Sequence, residues 1–424
     1  MTKIQPIEIR KAPRSKYLSN RWLVLAALSE SPSVLNGVPD NEDIRHLVSG
    51  LQTLGVVVTK HENGLVLSKK PSVMPKEPVI VHCGDSGSMA RFIMALAATK
   101  SFPVTVDGSQ RLRSRPMAPL IRALEALGAK ISSTNGYLPV TVQGKIRGGT
   151  VEVDPSHSSQ FVSALMLVAP ILDGGLRITF SKPPVSVSYI RMTANVLEQA
   201  GVLCRLDEKG VQIEPGPIRL PSIEIPVDAT AASYLMMAGL LGPNPVAVLG
   251  YQYHPELHGE CHFVDHVARL GGELMLQPNK VIARPVPDFV SAELDCTDCP
   301  DVVQSLVVLA CFARGDVRLT GLDALPYKES NRIEDTAREL SRCGVSVTTG
   351  SAWMKIGKAD WRPCQFVTHQ DHRMAMSLAQ LSWRVKGLNM RDWQVVGKSW
   401  PEYWQVMAEL GLPLAQKICN GGEN

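Results

Sequence analysis

The stretch LQTLGVVV at residues 51–58, a helical run followed by glycine and then by β-branched residues, decides the fold because it recurs along the chain. The other copies are ALEALGAKI (123–131), NVLEQAGVL (195–203), HVARLGGEL (266–274), RELSRCGVSV (338–347) and VMAELGLPL (406–414). Intervals of 73, 73, 70, 73 and 67 residues separate their glycines, which are Gly55, Gly128, Gly201, Gly271, Gly344 and Gly411. We expect each glycine to adopt the left-handed conformation that ends a helix before a strand.

A second set of helices lies between these copies and carries few polar residues. Corresponding positions in these six helices are 71 residues apart, at Tyr17, Ser88, Ser159, Thr230, Asp301 and His372. A helix that is apolar on nearly every face is buried in a core. Each unit is therefore predicted to contain one buried helix, one amphipathic helix ended by glycine, and short strands such as 104–107 and 178–181.

Six such units account for the 424 residues and predict an α/β repeat protein built as two lobes of three units each. We place the first lobe at 15–226 and the second at 1–14 together with 227–424. The chain is expected to cross between lobes near 14–15 and near 226–228. Helix–glycine–strand elements also recur by chance in α/β proteins, but the equal spacing of two independent patterns argues against chance.

The composition excludes several classes of protein. Hydrophobic residues make up 45% of the chain and charged residues 20%, as in a globular protein with a sizeable core. The net charge of +4 is too small to indicate nucleic acid as the partner. The apolar stretches at 164–172 and 305–313 are shorter than the roughly 18–20 residues of a membrane span, and residues 1–11 carry no export signal. Nine scattered cysteines indicate reduced thiols and a cytoplasmic location.

Basic side chains occupy the beginnings of the buried helices, where acidic ones are usual. Lys16, Arg91 and Arg373 are examples. Because a helix N-terminus already carries about half a positive charge, cations there indicate an anionic ligand shared between them. A single basic residue is usually a solvated surface group, but these recur at corresponding points of the repeat. The loops add more groups of the kind that bind phosphate or carboxylate: RLRSRP at 111–116, KESNR at 328–332 and GKSWP at 397–401.

Two other patterns indicate chemistry that we do not expect. GDSG at 84–87 is similar to a serine-protease nucleophile loop, but no credible histidine–aspartate pair precedes it. Cys296 and Cys299 form a CxxC pair, and further side chains of the zinc-ligand type precede it: His254, His258, Cys261 and His262. Because there is one such pair, more than thirty residues from these side chains, the spacing does not match a standard zinc site.

The ordered set of motifs resembles one family, the 5-enolpyruvylshikimate-3-phosphate (EPSP) synthases. The motifs are PRSKYLSNR (13–21), GDSGSMAR (84–91), RLRSRP (111–116), SSQF (158–161), PD (300–301), KESNR (328–332), DHRMAM (371–376) and GKSWP (397–401). The resemblance covers essentially the whole chain, and the combination is specific although each motif alone is weak. The sister UDP-N-acetylglucosamine enolpyruvyl transferases are more distantly similar, and they usually carry a cysteine on the loop that here reads RLRSRPMAP.

The resemblance implies a two-lobed inside-out α/β fold of six βαβαββ units, with the N-termini of the buried helices pointing at a cleft. It implies a soluble, cytoplasmic, monomeric transferase of the shikimate pathway to aromatic amino acids, with no metal and no organic cofactor. The enolpyruvyl group of phosphoenolpyruvate passes to the 5-hydroxyl of shikimate 3-phosphate, through addition and then elimination of phosphate. The family is the target of the herbicide glyphosate, and Gly87 and Arg115 match its site.

The resemblance also assigns roles to individual residues. Asp301 takes the proton of the acceptor hydroxyl, and Glu329 and Lys16 are candidates for proton transfer at the methylene carbon. Phosphoenolpyruvate is bound by Lys16, Gly87, Arg115, Gln160, Arg332, Arg373 and Lys398. Shikimate 3-phosphate is bound by Lys16, Arg21, Ser158, Ser159, Gln160, Ser186, Tyr189, Asp301 and Lys328. Within this second set, Arg21 meets the ring carboxylate and Tyr189 packs against the ring.

The chain departs from the family pattern mainly on the acceptor side. Arg14 and Tyr17 replace the glycine and second serine of the usual Pro-Gly-Ser-Lys-Ser, and Ala324 replaces an acceptor-binding asparagine. Arg191 and Phe92 replace a common aspartate and proline. The alternative is therefore a paralogue that transfers enolpyruvyl to a different hydroxylated anionic acceptor. A catalytically idle binding protein is the third reading, disfavoured because the charged residues of the motifs are all present.

Overall fold

The computed structural model describes residues 5–69, 75, 78–220 and 222–421. Both predicted lobes therefore include a few residues outside the described part of the chain, such as 1–4 and 422–424 of the second lobe. The chain divides into two compact units. One, here called the inserted unit, is Arg14–Ile225. The other, here called the outer unit, combines Met1–Pro13 with Pro226–Asn424. Among the residues described, no helix is long and apolar enough to span a membrane.

Short strands and helices alternate along both units. The strands are β1 (Ile7–Ile9), β2 (Ser33–Asn36), β3 (Val56–His61), β4 (Gly64–Lys69), β5 (Val79–His82), β6 (Val104–Asp107), β7 (Lys130–Thr134), β8 (Tyr137–Gln143), β9 (Gly149–Val153), β10 (Leu176–Phe180), β11 (Cys204–Asp207), β12 (Gly210–Ile213), β13 (Ile223–Glu224), β14 (Val246–Leu249), β15 (Leu274–Gln277), β16 (Lys280–Ala283), β17 (Ala292–Asp295), β18 (Val317–Thr320), β19 (Val345–Gly350), β20 (Trp353–Ala359), β21 (Cys364–Phe366) and β22 (Leu388–Met390). The helices are α1 (Lys16–Leu28), α2 (Glu42–Thr53), α3 (Gly87–Ala97), α4 (Gln110–Arg113), α5 (Ala118–Ala126), α6 (Gln160–Val168), α7 (Val187–Gln199), α8 (Ala229–Leu241), α9 (Phe263–Arg269), α10 (Val303–Ala310), α11 (Arg332–Arg342), α12 (His372–Ala379), α13 (Tyr403–Leu410) and α14 (Pro413–Cys419).

The sheets of the inserted unit share one pairing pattern. Their strand orders are β13-β2-β4-β3, β5-β6-β8-β7 and β9-β10-β12-β11. In each sheet the first two strands are parallel and the others pair antiparallel. In the last two sheets the parallel strands are consecutive in the chain and enclose a buried helix, α3 or α6, as parallel pairing requires a crossover.

The outer unit contains two four-stranded sheets with the same pattern and one smaller sheet. The strand orders are β1-β14-β16-β15 and β17-β18-β20-β19, and β21 pairs in parallel with β22. The parallel strands β17 and β18 enclose α10, and β21 and β22 enclose α12. The repeated parallel-then-antiparallel order therefore appears in five sheets of the described residues. The expectation of six βαβαββ units was wrong for the last unit, in which β21 and β22 form a two-stranded sheet and the helices α13 and α14 follow in place of an antiparallel pair.

Each unit has its own hydrophobic core, in which the buried helices are the central elements. Every residue of α8 is buried, and its first turn is capped by Asp228, whose Oδ1 accepts from the N–H of Ala231 at 2.9 Å. Helix α3 is buried at all but one of its positions. The cores of the two units are separate sets of residues, built around α1, α3 and α6 in the inserted unit and around α8, α10 and α12 in the outer one. The buried helices thus follow the polar-poor stretches identified in the sequence.

All six repeat glycines have a left-handed backbone, with φ between 80° and 106°. The expectation for Gly411 was wrong in one respect, because the helix α14 follows it instead of a strand. Pro413 is the first residue of that helix, where its fixed φ and missing N–H are compatible with helix initiation. The expected strand 104–107 is confirmed as β6, whereas that at 178–181 lies at Leu176–Phe180.

Candidate functional site

A buried arginine at the first position of α11 is the centre of a charge network in the outer unit. The Arg332 guanidinium is 1% exposed and donates to three carboxylates. Its Nη1 lies 2.8 Å from Asp301 Oδ1, its Nη2 3.0 Å from Glu329 Oε2, and its Nε 2.7 Å from Asp371 Oδ2. Burial opposes the charged form, but these carboxylates outweigh it and raise the pKa of Arg332 above its usual range. The guanidinium is therefore a permanent cation with a fixed orientation.

Three further cations surround the same carboxylates. Lys398 Nζ lies 2.7 Å from Glu329 Oε1, Lys328 Nζ 3.3 Å from Asp301 Oδ1, and Arg373 Nη2 3.6 Å from Asp301 Oδ2. We call these seven residues the Arg332 cluster: Asp301, Lys328, Glu329, Arg332, Asp371, Arg373 and Lys398. Four cations facing three carboxylates leave an excess of one positive charge, which an anionic ligand would neutralise.

Local structure explains how these side chains are brought together. Asp301 lies on the 3₁₀ turn Pro300–Val302 that leads into α10, and Lys398 ends the 3₁₀ segment Trp393–Lys398. Asp371 caps α12 by accepting from the N–H of Arg373 at 2.9 Å, so the residue that fixes Arg332 also starts the helix of Arg373. The cluster thus joins the beginnings of three helices, α10, α11 and α12.

In the inserted unit, Lys16 begins α1 and is 9% exposed. Its Nζ lies 2.8 Å from Asp43 Oδ2, in the first turn of α2. Ser15 caps α1 by accepting from the N–H of Leu18 at 3.3 Å. An ammonium group held at a helix N-terminus beside the Asp43 carboxylate is a candidate for anion binding or proton transfer.

Gly87 and Arg115 lie in direct contact in the inserted unit. A Cβ added to Gly87 would be 2.5 Å from Arg115 Nη1 and 2.7 Å from its Cζ, so only glycine lets the guanidinium approach the start of α3. Arg115 is 9% exposed, and its Nε is buried without a hydrogen-bond partner among the described residues. A buried donor of this kind is costly unless a ligand accepts from it.

Gln160, the first residue of α6, is held by a second buried arginine. Its Oε1 accepts a short hydrogen bond from Arg91 Nη1, and Arg91 Nη2 donates to the Pro116 carbonyl at 3.2 Å. The Arg91 guanidinium also lies over the Phe161 ring, 4.8 Å from its centroid. Arg91 therefore links α3, α6 and the end of the RLRSRP loop.

The predicted acceptor residues of the inserted unit are mostly buried. Arg21 donates to Thr193 Oγ1 at 2.8 Å and to the carbonyls of Tyr17 and Tyr189 at 2.9 and 3.0 Å. The Tyr17 and Tyr189 rings are in contact, with centroids 5.1 Å apart. These contacts give Arg21 a structural role in joining α1 to α7, and its role toward a ligand stays a prediction.

Three serines of the predicted acceptor set lie at the beginnings of α6 and α7. Ser158 Oγ accepts from the N–H of Gln160 at 3.2 Å, and Ser159 is the residue before α6. Ser186, before α7, has a left-handed backbone with φ of 52°. Non-glycine residues with such backbones are strained and cluster at functional sites.

A bidentate ion pair fixes the RLRSRP loop and makes stability depend on pH. Asp107, at the end of β6, accepts from Arg113 Nε at 2.8 Å and Nη2 at 2.6 Å, and the Arg113 hydrogen bond lowers the pKa of Asp107 against the opposing effect of burial. Because the folded-state pKa lies below the unfolded value, this contribution is present above about pH 4 and lost as pH falls through the folded pKa. We expect Asp107→Asn to lower the urea midpoint at pH 7 and to have a smaller effect at pH 3, below the unfolded pKa of about 3.9. An equal difference at both pH values would contradict this.

Sequence reasoning missed three residues that the structure brings into these groups. Asp371 belongs to the DHRMAM motif and was not assigned a role, although an aspartate before a buried helix signals an N-cap. Arg91 was noted as a cation without a role, and Asp43 had no signal beyond its place in the first turn of α2. All the residues assigned from the resemblance lie in the described part of the chain, Asp301, Lys328, Glu329, Arg332, Arg373 and Lys398 in the outer unit and the others in the inserted unit.

Comparisons with known proteins agree with the motifs. The family model of EPSP synthase (3-phosphoshikimate 1-carboxyvinyltransferase) matches residues 3–407. A protein named 3-phosphoshikimate 1-carboxyvinyltransferase from Syntrophobacter fumaroxidans is 34% identical over 96% of this chain and 99% of its own length. One of the same name from Methanoculleus marisnigri is 31% identical over 95% and 96%.

Solved structures show the same fold. The EPSP synthase of Acinetobacter baumannii superposes with a TM-score of 0.78 at 22% identity, covering 96% of this chain and 98% of that one. The predicted α/β fold class is confirmed by this likeness. From the model match and the curated relatives together, the chain belongs to the EPSP synthase family.

Proposed function

We propose that this transferase moves the enolpyruvyl group of phosphoenolpyruvate to the 5-hydroxyl of shikimate 3-phosphate and releases phosphate. The family membership supports the activity, which is the one the relatives' names describe. The observation that carries the assignment to residues is the Arg332 cluster, in which a carboxylate beside three cations sits within a net positive charge. Both substrates are multiply charged anions, and a base within a cationic site fits them.

The reaction needs proton transfers at two atoms. The acceptor hydroxyl loses its proton as its oxygen bonds to the central carbon of phosphoenolpyruvate, and the methylene carbon gains a proton. The same carbon then loses a proton as the carbon–oxygen bond to phosphate breaks and the double bond re-forms. Asp301 is proposed to accept the hydroxyl proton. Glu329, which links Lys398 to Arg332, and Lys16 are proposed to serve the methylene carbon.

The remaining residues are proposed to bind the two anions. For phosphoenolpyruvate these are Arg332, Arg373 and Lys398 in the outer unit, with Lys16, Gly87, Arg115 and Gln160 in the inserted unit. For shikimate 3-phosphate they are Lys16, Gln160, Ser158, Ser159 and Ser186, with Arg21, Tyr189, Asp301 and Lys328. We further propose that the protein is a monomer, as the family resemblance implies, and that it is cytoplasmic, which the nine free cysteines support.

The identity of the acceptor is tested by comparing kcat/KM across a panel of hydroxylated anions. Tyr17 stands at a position where the family usually has a serine, and its ring packs on that of Tyr189. This contact favours a paralogue with another acceptor as the second candidate function. The panel contains shikimate 3-phosphate, shikimate without the phosphate, and other phosphorylated sugars and cyclitols. The proposal expects shikimate 3-phosphate to have the highest kcat/KM of the panel and to exceed shikimate by about 10³-fold or more, because shikimate leaves the buried groups that bind phosphate unpaired. A different leading acceptor would establish the paralogue.

Gly87→Ala is expected to raise KM for phosphoenolpyruvate by about 10–100-fold, because that is the effect of losing one hydrogen bond to a charged group. The added methyl group would displace the Arg115 guanidinium, which lies within 2.5–3.0 Å of the new carbon. The measurement is steady-state kinetics with phosphoenolpyruvate varied. Gly216→Ala is the matched control in the same unit, because no atom lies within 4 Å of a Cβ at that position. Equal KM values for the two variants would show that Arg115 does not bind phosphoenolpyruvate.

A further inference from the structure

A buried group of thiol and imidazole side chains lies in the outer unit, beyond the residues of the Arg332 cluster. One ligand atom from each of His266, Cys296 and Cys299 lies within 4.8 Å of the others. Cys296 follows β17, Cys299 precedes the turn that bears Asp301, and His266 is on α9. The three side chains are 0–6% exposed.

The side chains of the zinc-ligand type that precede the CxxC pair in the sequence, which we did not expect to form a zinc site with it, are not the ones that lie beside it in the structure. His254, His258, Cys261 and His262 are not in this group, and α9 places His266 there instead. His266 lies on the buried face of that helix, so its nearness to a CxxC pair thirty residues further on depends on tertiary packing. Standard zinc spacings do not include such a pairing.

The distance between two of the ligand atoms agrees with the dimensions of a zinc site. His266 Nε2 lies 3.5 Å from Cys299 Sγ. Zinc bonds of about 2.3 Å to sulfur and about 2.05 Å to nitrogen, at a tetrahedral angle, separate the two ligand atoms by about 3.6 Å. This distance fits one zinc ion shared by His266 and Cys299, and Cys296 Sγ lies within 4.8 Å of both ligand atoms.

The chemistry of the three groups favours zinc over other cations. Sulfur and imidazole are ligands of zinc, whereas calcium and magnesium require oxygen. Two thiolates, a neutral imidazole and Zn²⁺ sum to zero charge, which suits a buried position. The Nε2 of His266 is the ring nitrogen that faces Cys299, and its other ring nitrogen, Nδ1, is buried without a hydrogen-bond partner among the described residues.

We propose that His266, Cys296 and Cys299 bind one Zn²⁺ ion. The site is outside the residues proposed for the transfer reaction and does not depend on that proposal. Its consequence is structural, because Cys299 is two residues before Asp301. A bound ion would tie α9 to the turn that carries this carboxylate.

The test measures metal binding by the reduced, full-length protein. After incubation with Zn²⁺ and exhaustive dialysis, we expect about one zinc per chain by elemental mass spectrometry. With Co²⁺ in place of zinc, we expect thiolate charge-transfer absorption and the intense visible bands of a tetrahedral site. Cys296→Ser and Cys299→Ser are each expected to weaken zinc binding by about 100-fold or more.

Cys311→Ser is the control, since Cys311 is also a buried thiol of the outer unit but lies outside the group. This variant should keep the metal and the cobalt spectrum. If a serine variant does not fold, the cobalt spectrum of the unaltered protein decides. The proposal would be overturned if the reduced protein with Co²⁺ showed no thiolate bands, or if both serine variants retained zinc. It would also be overturned if Cys296 and Cys299 formed a disulfide whose reduction did not allow metal binding.

Discussion

Asp301→Asn is expected to lower kcat by about 10²–10⁴-fold, the usual contribution of a general base, while phosphoenolpyruvate still binds. Asparagine keeps the volume of the side chain and an oxygen that can accept from Arg332 Nη1, now 2.8 Å away. It cannot take up the hydroxyl proton of the acceptor. Transition-state stabilisation is therefore lost while ground-state binding is largely kept. Steady-state kinetics and calorimetric titration with phosphoenolpyruvate measure the two quantities separately.

A matched control is Asp316→Asn in the same unit. Asp316 also pairs with a lysine, at 3.0 Å, but its side chain is 60% exposed, so we expect no change in kcat. If Asp301→Asn keeps the kcat of the unaltered protein, Asp301 is not the base. If it loses phosphoenolpyruvate binding and kcat together, its role is to organise the cations.

Arg332→Gln is expected to reduce the free energy of unfolding by about 3–5 kcal/mol, the range seen when one partner of a buried ion pair is removed. Asp371 is fully buried and would lose its guanidinium partner, and Asp301 and Glu329 would each lose one cation. Urea unfolding at pH 7 measures this change. In the same variant, KM for phosphoenolpyruvate should rise, because the excess positive charge of the cluster is removed.

The control is Arg338→Gln on the same helix. Arg338 also pairs with a carboxylate, Asp335 at 2.9 Å, but its side chain is 56% exposed. Substitutions at such surface positions usually change stability by within about 0.5 kcal/mol. Equal unfolding free energies for the two variants would show that the buried network does not contribute to stability.

The repeat could be predicted from the sequence because its signals are local. A buried helix is apolar on every face, as in α8, and a glycine after a helix marks a backbone that other residues avoid, as at Gly344. The pattern was wrong in the last unit, where the sheet has only β21 and β22 and a helix starts at Pro413 after Gly411. The signal for that helix was also local, since proline is favoured in a first helical turn.

The contacts of the candidate site could be predicted only in part. Which residues are charged was evident, but Arg332 with Asp371 and Lys16 with Asp43 are pairs formed between elements distant in sequence. His266 beside the CxxC pair is another such contact. The packing of helices sets these distances, and the local pattern of residues along the chain does not reveal how the helices pack.

The central claim is tested most directly by the product formed from phosphoenolpyruvate and shikimate 3-phosphate. Inorganic phosphate is measured as it is released, and the organic product is identified by mass spectrometry in the same samples. We predict one phosphate for each enolpyruvyl adduct of shikimate 3-phosphate, with no release when the acceptor is left out. Phosphoenolpyruvate that binds without forming the adduct, or phosphate release that does not depend on the acceptor, would contradict the account.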